Sequence, residues 1–199
     1  TLIKSMLGIT RPTAGAAKLL GTNPDRAKED IGIVLDDCFF SEYLRVRDVE
    51  TVLCRVFKTW EKGLYRDYLD KFGLSGAKNI KELSRGMRMK LSLAAALAHR
   101  PRLLLLDEAT AGLDPVVRDE ILDEFLAFVS DEDHAILISS HITSDLEKVA
   151  DYIAYLHQGQ LLLCDEKDRL LESYGRLVCT REELEQVDRG YVVATRKSQ

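Results

Sequence analysis

The chain has 199 residues, 46% of them hydrophobic and 31% charged, which suits one α/β domain with a substantial core. Its formal net charge of −5, without any run of like charges, argues against nucleic acid as the main partner, because nucleic-acid-binding proteins usually carry a basic face. No apolar run approaches the roughly 18 to 20 residues of a membrane-spanning helix, so we expect any link to a membrane to run through a partner.

Helical and extended patterns alternate along the first half of the chain. In chain order, they predict a helix at about 1–9, a short strand near 16–20, a strand at 31–35, helices within 46–72 with a break at Lys62-Gly63, and a loop over 73–81. Ser84 is then expected to cap a helix that runs to about Ala98. Phe57, Trp60, Tyr65 and Tyr68 either form the core of this helical part or, with Phe39, Phe40 and Tyr43, receive a helix from a partner.

The second half continues the alternation. It predicts a buried strand at 103–106, a helix from Asp114-Pro115 to about Ser130, a buried strand at 135–139, a short helix at 144–150, and strands at 152–156 and 161–164 that flank the turn HQGQ. Strands that alternate with helices indicate a parallel sheet. The pattern weakens around residues 174–190.

Residues 103–114, LLLLDEATAGLD, are the most informative stretch of the chain. Four leucines in a row are typical of a parallel strand that is buried on both faces. The strand delivers two adjacent carboxylates, Asp107 and Glu108, to its C-terminal end, where open α/β folds place their chemistry. Phosphate-hydrolysing sites use such carboxylates to hold Mg²⁺ and to position an attacking water. Taken alone, the pair is equally compatible with an ordinary polar turn.

Three neighbouring segments favour the chemical interpretation. IGIVLD at 31–36 is a strand that ends in a carboxylate, LSRGM at 83–87 opens a helix, and AILISSH at 135–141 is a strand that ends in His141. If the last strand lies beside the strand at 103–106, Glu108 and His141 meet at one edge of the sheet, where a γ-phosphate could bind.

These segments, in this order, resemble the nucleotide-binding subunit of ABC transporters, most closely bacterial exporter-like subunits that pair with a separate permease. LSRGM resembles the signature LSGGQ, LLLLDE the Walker B motif, AGLD the D-loop, and His141 the switch histidine. The resemblance covers nearly the whole chain. It implies an α/β fold of the P-loop NTPase type, with a parallel sheet flanked by helices and a small helical subdomain at about 44–98. On this basis residues 1–175 form the ATPase domain and 176–199 an appendix.

The resemblance also implies roles for single residues. Asp107 would hold Mg²⁺, Glu108 would polarise the attacking water, and His141 would contact the γ-phosphate of ATP. Ser84 and Gly86 would bind the γ-phosphate held by a second copy of the subunit, because a helix N-terminus has unpaired N–H groups that attract anions.

Several positions complete or depart from the family pattern. Asp114 would lie at the interface of the two copies, as the family's D-loop aspartate does. Asp36 stands where the family has a glutamine, and an aspartate there can still contact Mg²⁺ or water. Arg85 and Met87 replace a glycine and a glutamine of the signature, and Arg85 either reaches a phosphate or is solvated. Ala109 replaces a common proline.

The family's phosphate-binding loop, GxxxxGK[ST], is expected just before Thr1, since residues 1–4 resemble those that follow it. We therefore expect the 199 residues to be a fragment that lacks this loop and binds ATP weakly by itself.

Three functions remain open from the sequence. The first is an ATP-hydrolysing subunit that powers a membrane permease from the cytoplasmic face of the membrane. The second is a soluble ABC-type ATPase, although the 47 residues between Asp36 and Ser84 leave room only for a compact subdomain and not for a coiled coil. The third is a degenerate binding module, suggested by Asp36 and Arg85.

Overall fold

The structure, a computed structural model, describes residues 2–175, 177–192 and 195. The chain divides into two compact units, residues 1–149 and 150–199, and each contains a sheet of its own. The domain boundary at residue 175 and the subdomain bounds expected from the sequence stay predictions.

The first unit alternates helices and strands. Its elements are α1 Leu2–Met6, α2 Pro24–Ala27, β1 Ile31–Val34, α3 Asp48–Leu53, α4 Lys62–Lys71, α5 Arg85–Leu97, β2 Leu103–Asp107, α6 Pro115–Val129, β3 Ala135–Ser139 and α7 Thr143–Val149, with short 3-10 turns at Lys28–Asp30 and Ile80–Glu82. Strands β1, β2 and β3 form a parallel sheet in that order, in which Val34 pairs with Leu106 and Asp107 pairs with Ser139.

Strand β2 is the centre of the core, because helices cover both faces of it. Leu104 and Leu106 pack with α5 and α6, whereas Leu105 points the other way and packs with Ile3 of α1. All three leucines are fully buried, and each contributes about 2 kcal/mol by removing its side chain from water. Gly32 of β1 allows α5 to come close, since a Cβ there would lie 2.8 Å from the carbonyl oxygen of Ala96.

Strand β3 departs from the prediction of a buried strand. Ala135 and Leu137 are exposed, Leu137 by 38%, and the other three residues of the strand are half-buried. The reason is its position: within the described residues β3 pairs only with β2 and so forms the edge of the sheet. A run of apolar residues indicates a strand but does not say how many neighbours cover it.

A second core lies between α3, α4 and α5. The hydroxyl of Tyr65 donates a hydrogen bond to the carbonyl oxygen of Val46 at 2.7 Å, and the ring of Trp60 lies 5.3 Å from that of Tyr65. Burial raises the pKa of Tyr65. Tyr65 therefore belongs to the core, as the first of the two interpretations of the aromatic residues held, whereas Tyr43 is 84% exposed.

Three local predictions need correction. Helix α1 ends at Met6 rather than at residue 9, and no strand forms at 16–20, where Leu19 and Thr22 make one isolated bridge around Gly21. Lys62-Gly63 is the start of α4 rather than a break, because the chain turns over residues 54–61, after α3.

The second unit begins with a hairpin. Strands β4 Tyr152–His157 and β5 Gln160–Glu166 are antiparallel, and Gln158 and Gly159 between them both have positive φ, as a two-residue turn of type I′ requires. This confirms the predicted turn at HQGQ. Helices α8 Lys167–Ser173 and α9 Arg181–Gln186 follow, and Thr180 and Glu183 cap the second of them reciprocally. No helix in the described part of the chain is both long and apolar enough to cross a bilayer.

Candidate functional site

The three parallel strands end at the same edge of the sheet, and the predicted site residues of two of them meet there. Asp107 is the last residue of β2, Glu108 follows it, and Ser139 and His141 lie at and just beyond the end of β3. The register pairs Asp107 with Ser139. This juxtaposition follows from parallel pairing alone, since the carboxyl ends of neighbouring parallel strands are adjacent.

The Asp107 carboxylate is half-buried and is held from β3. The hydroxyl of Ser139 donates a hydrogen bond to Oδ1 of Asp107 at 2.6 Å. A divalent magnesium ion is usually held by one or two carboxylates, together with phosphates and waters. A carboxylate fixed through one oxygen and half-exposed at the edge of the sheet fits that requirement, so Asp107 is the residue of this site that suits Mg²⁺.

Glu108 has an unusual backbone. Its φ is +53°, in the left-handed region that residues other than glycine adopt at a cost of about 1 kcal/mol or more. Its N–H donates to the carbonyl oxygen of Ser139 at 3.0 Å and to the Ser139 hydroxyl at 3.3 Å, and its own carbonyl accepts from Ala111 N–H at 3.0 Å. These bonds turn the chain sharply after β2 and leave the Glu108 side chain one-third exposed.

His141 contacts Glu108 directly. Nδ1 of the imidazole lies 2.6 Å from Oε2 of Glu108, and the ring is 69% exposed. Because an ionised carboxylate can only accept, the hydrogen of this bond is on Nδ1, which leaves Nε2 as the ring nitrogen that is available to another group. The predicted meeting of Glu108 and His141 is therefore present in the structure.

The other predicted residues form a second group around the N-termini of α5 and α6. Ser84 caps α5 by accepting Met87 N–H at 3.3 Å, and Asp114 caps α6 by accepting Val117 N–H at 3.1 Å. Gly86 is buried against α6: a Cβ there would lie 3.0 Å from Cγ1 of Val117. The glycine thus serves helix packing, a role that the sequence did not indicate.

Arg85 lies against the loop that follows Glu108. A Cβ built on Gly112, whose φ is +67°, would lie 3.1 Å from the guanidinium carbon of Arg85. Asp36 is exposed and, with Asp37 and Arg85, lines an open cavity of about 500 Å³ between the end of β1 and the start of α5. The structure therefore brings Asp36 to the second group rather than into contact with Glu108 and His141.

A buried carboxylate that the sequence analysis missed links the two groups. Asp145 of α7 is 1% exposed. Its Oδ2 accepts from the hydroxyl of Thr110 at 2.6 Å, and its Oδ1 accepts from Nε of Arg118 at 2.7 Å. A signal for it exists in the sequence, because Ile142, Asp145 and Val149 recur at helical spacing, which puts a charge on the apolar face.

Comparison with known proteins shows which family the chain resembles. The family model described as ABC transporter matches residues 1–111. The bacitracin transport ATP-binding protein BcrA of Bacillus licheniformis is 32% identical over 168 residues, which cover 81% of this chain and 55% of that protein. The lantibiotic transport ATP-binding protein SrtF of Streptococcus pyogenes is 32% identical over 171 residues, which cover 84% of this chain and 74% of that protein.

Solved structures share the fold. A structure described as the ATP binding subunit of an ABC transporter superposes with a TM-score of 0.73 at 22% identity, over 93% of this chain and 80% of the other. The structure of cbiO1 from Clostridium perfringens, described as part of the ABC transporter complex cbiONQ, gives 0.70 at 22% identity, over 86% and 73%. The predicted P-loop NTPase-like α/β fold is thereby confirmed.

The chain spans about half the length of the bacitracin transport protein that it matches. The family that the sequence motifs implied is also the family of the matching proteins. Because the family model matches more than half of the residues of this chain, the chain belongs to the ABC transporter family.

Proposed function

We propose that this chain is the catalytic part of a subunit that hydrolyses ATP with Mg²⁺ and thereby powers a membrane permease. The observation that carries the proposal is the 2.6 Å contact between Oε2 of Glu108 and Nδ1 of His141, beside Asp107 at the C-terminal edge of β2. Phosphoryl transfer to water needs a carboxylate that binds the metal, a carboxylate that orients the water, and a group such as an imidazole that stabilises charge.

In the proposed reaction, the Glu108 carboxylate orients a water molecule and accepts its proton as the oxygen attacks the γ-phosphorus. The bond between that phosphorus and the β,γ-bridging oxygen breaks, which releases ADP and inorganic phosphate. When both ring nitrogens of His141 carry a hydrogen, Nδ1 donates to Glu108 and Nε2 donates to a γ-phosphate oxygen, which stabilises the charge of the transition state. Asp107 would hold Mg²⁺, which would supply positive charge against the phosphates, and Asp36, just beyond the neighbouring strand β1, is the second carboxylate that we assign to the metal or its waters.

Two copies of the subunit would complete each site. Ser84 caps α5, a helix of 13 residues whose N-terminus attracts anions, and Gly86 lies in its first turn. We assign both residues to the γ-phosphate bound by the second copy. Asp114, exposed at the N-terminus of α6, lies at the interface between the copies. Arg85 is exposed above Gly112, so its guanidinium is free to add a phosphate contact to this surface.

The partner in the membrane is inferred from the relatives and from exposed apolar side chains within residues 39–56. The relatives are named for the transport of bacitracin and of lantibiotics. Phe39, Tyr43, Val52 and Val56 are all between 47% and 84% exposed. We assign these exposed side chains to contacts with a cytoplasmic helix of the permease, which would hold the subunit at the inner face of the membrane.

ATP turnover by the complete gene product that contains this chain tests the catalytic proposal. Glu108→Gln keeps the shape of the side chain but cannot take a proton, so turnover is expected to fall about hundredfold or more. Glu132→Gln, the same change at an exposed position, serves as the control and is expected to leave turnover unchanged. Wild-type turnover no higher than that of Glu108→Gln would indicate a binding module without catalysis.

A photo-crosslinker at Tyr43, followed by mass spectrometry of the product from native membranes, tests the transport assignment. The expected product joins the chain to a protein with several membrane spans. Crosslinks to soluble proteins alone would instead support an ATPase outside transport.

A further inference from the structure

We propose that Ser139 is a positioning residue of the active site, which holds the metal carboxylate and the water-activating carboxylate in register through one hydroxyl. The proposal rests on the proposed function, since it takes Asp107 and Glu108 as the residues that serve Mg²⁺ and water. Ser139 lies in the segment AILISSH, in which the resemblance assigns a role only to His141.

The first contact of Ser139 fixes Asp107. The hydroxyl donates to Oδ1 at 2.6 Å, a short bond of the kind that a charged acceptor forms. Asp107 is paired with Ser139 across the parallel ladder, so donor and acceptor lie on backbones that are already hydrogen-bonded to each other. The carboxylate is therefore held from a neighbouring strand rather than by its own flexible side chain.

The second contact of Ser139 fixes the backbone of Glu108. The N–H of Glu108 is shared between the carbonyl oxygen of Ser139 at 3.0 Å and its hydroxyl at 3.3 Å. Glu108 has a φ of +53°, and a strained conformation persists only where its surroundings over-determine it. The two acceptors of Ser139 supply that restraint, and the direction in which the Glu108 side chain leaves the sheet follows from it.

Only a hydroxyl can do both tasks at once. A serine oxygen has one hydrogen to donate, which goes to Asp107, and lone pairs to accept with, one of which takes the Glu108 N–H. The neighbouring Ser140 does neither, because its hydroxyl accepts from Ile142 N–H at 3.0 Å. The carboxylate is half-buried, so losing the donor would leave an acceptor that water satisfies incompletely.

The test compares Ser139→Val with Ser139→Thr in the complete gene product. Both substitutions place a β-branched side chain at the end of a strand, and they differ only by a methyl group in place of a hydroxyl. Two quantities are measured: ATP turnover, and the affinity for Mn²⁺ by electron paramagnetic resonance in the presence of the non-hydrolysable imido analogue of ATP. Ser140→Ala is the matched control, and Glu108→Gln reports on the chemistry.

Removing a group that holds a metal-binding side chain in place usually lowers the metal affinity or the rate by about tenfold or more. Ser139→Val is therefore expected to weaken Mn²⁺ binding and to lower turnover by about tenfold each, whereas Ser139→Thr restores both to within about threefold of wild type. Ser140→Ala is expected to leave Mn²⁺ affinity unchanged. If thermal unfolding shows that Ser139→Val is not folded, Ser139→Ala replaces it, and the same results are expected.

The outcomes separate this proposal from the proposed function. Equal Mn²⁺ affinity and equal turnover in the Val and Thr variants would overturn the role of Ser139 while leaving the ATPase intact. Wild-type turnover no higher than that of Glu108→Gln would overturn the ATPase, and the Mn²⁺ titration would then decide on Ser139 alone. Absence of Mn²⁺ binding to the wild-type protein would overturn the role of Ser139 as well.

Discussion

Arg118 and Asp145 form an ion pair that ties the first turns of α6 and α7 together. Nε of Arg118 lies 2.7 Å from Oδ1 of Asp145, whose side chain is 2% exposed, and the guanidinium also donates to the hydroxyl of Ser144 at 2.9 Å. Thr110 occupies the other carboxylate oxygen. Every oxygen of this buried carboxylate therefore has a partner, and the segments that follow Glu108 and His141 are joined through it.

Asp145→Ala is expected to destabilise the fold strongly. The change leaves the guanidinium of Arg118 half-buried without its counter-ion and the buried hydroxyl of Thr110 without its acceptor, so the free energy of unfolding should fall by about 3 to 5 kcal/mol. Urea unfolding measures it. Asp123→Ala is the control, because Asp123 pairs with Lys148 at the surface with its side chain 68% exposed, and its loss should cost about 1 kcal/mol or less. Equal losses for the two variants would contradict the burial argument.

Gly112 and Arg85 are expected to be energetically coupled. An alanine at 112 must adopt a φ of +67° and also meets the Arg85 guanidinium, so Gly112→Ala should cost about 1 to 2 kcal/mol of stability. Removing the guanidinium with Arg85→Ala relieves the contact but not the backbone strain. A double-mutant cycle should therefore give a coupling of about 0.5 kcal/mol or more, in the direction that makes the double variant more stable than the sum predicts. Strict additivity would mean that Arg85 moves away at no cost.

Local signals in the sequence were sufficient for much of this fold. Ser84 and Asp114 are helix caps, as their residue types and spacing indicate, and the run at 103–106 is the central strand. The meeting of Glu108 with His141 followed from parallel pairing. The partners of Asp145, the positive φ of Glu108 and the double bonding of Ser139 did not follow, because each depends on which element packs beside the residue. The exposure of β3 is of the same kind, since an apolar strand looks alike at the centre and at the edge of a sheet.

The buried imidazole of His99 is expected to make the stability of the fold depend on pH. Its Nε2 donates to the carbonyl oxygen of Ile31 at 3.0 Å, its ring stacks on Phe57, and burial lowers its pKa from the ordinary 6.5. The unfolded chain therefore binds a proton at a higher pH than the folded chain does. Stability is complete above about pH 6.5 and is lost as the pH falls below it, by up to about 1.4 kcal/mol per pH unit until the folded-state pKa is reached.

Urea unfolding at several pH values between about 7 and 5 measures this slope. His99→Phe keeps an aromatic ring against Phe57 but cannot titrate, so the contribution of His99 to the slope should disappear even if the overall stability is lower. A slope that survives in His99→Phe would assign the pH dependence to other groups.

His141 is expected to act on the rate of hydrolysis and not on the fold. Its ring is 69% exposed and, within the described residues, its hydrogen-bond partner is Glu108, so His141→Ala removes little packing and should change the free energy of unfolding by less than about 0.5 kcal/mol. The transition state loses a charge-stabilising donor, which lowers ATP turnover about hundredfold or more.

Turnover and nucleotide affinity are measured in the complete gene product, with His157→Ala as the exposed control. Affinity should change by less than about tenfold, because an interaction made mainly in the transition state contributes little to ground-state binding. A parallel loss of affinity and turnover would make His141 a binding residue, and an unchanged turnover would remove it from the site.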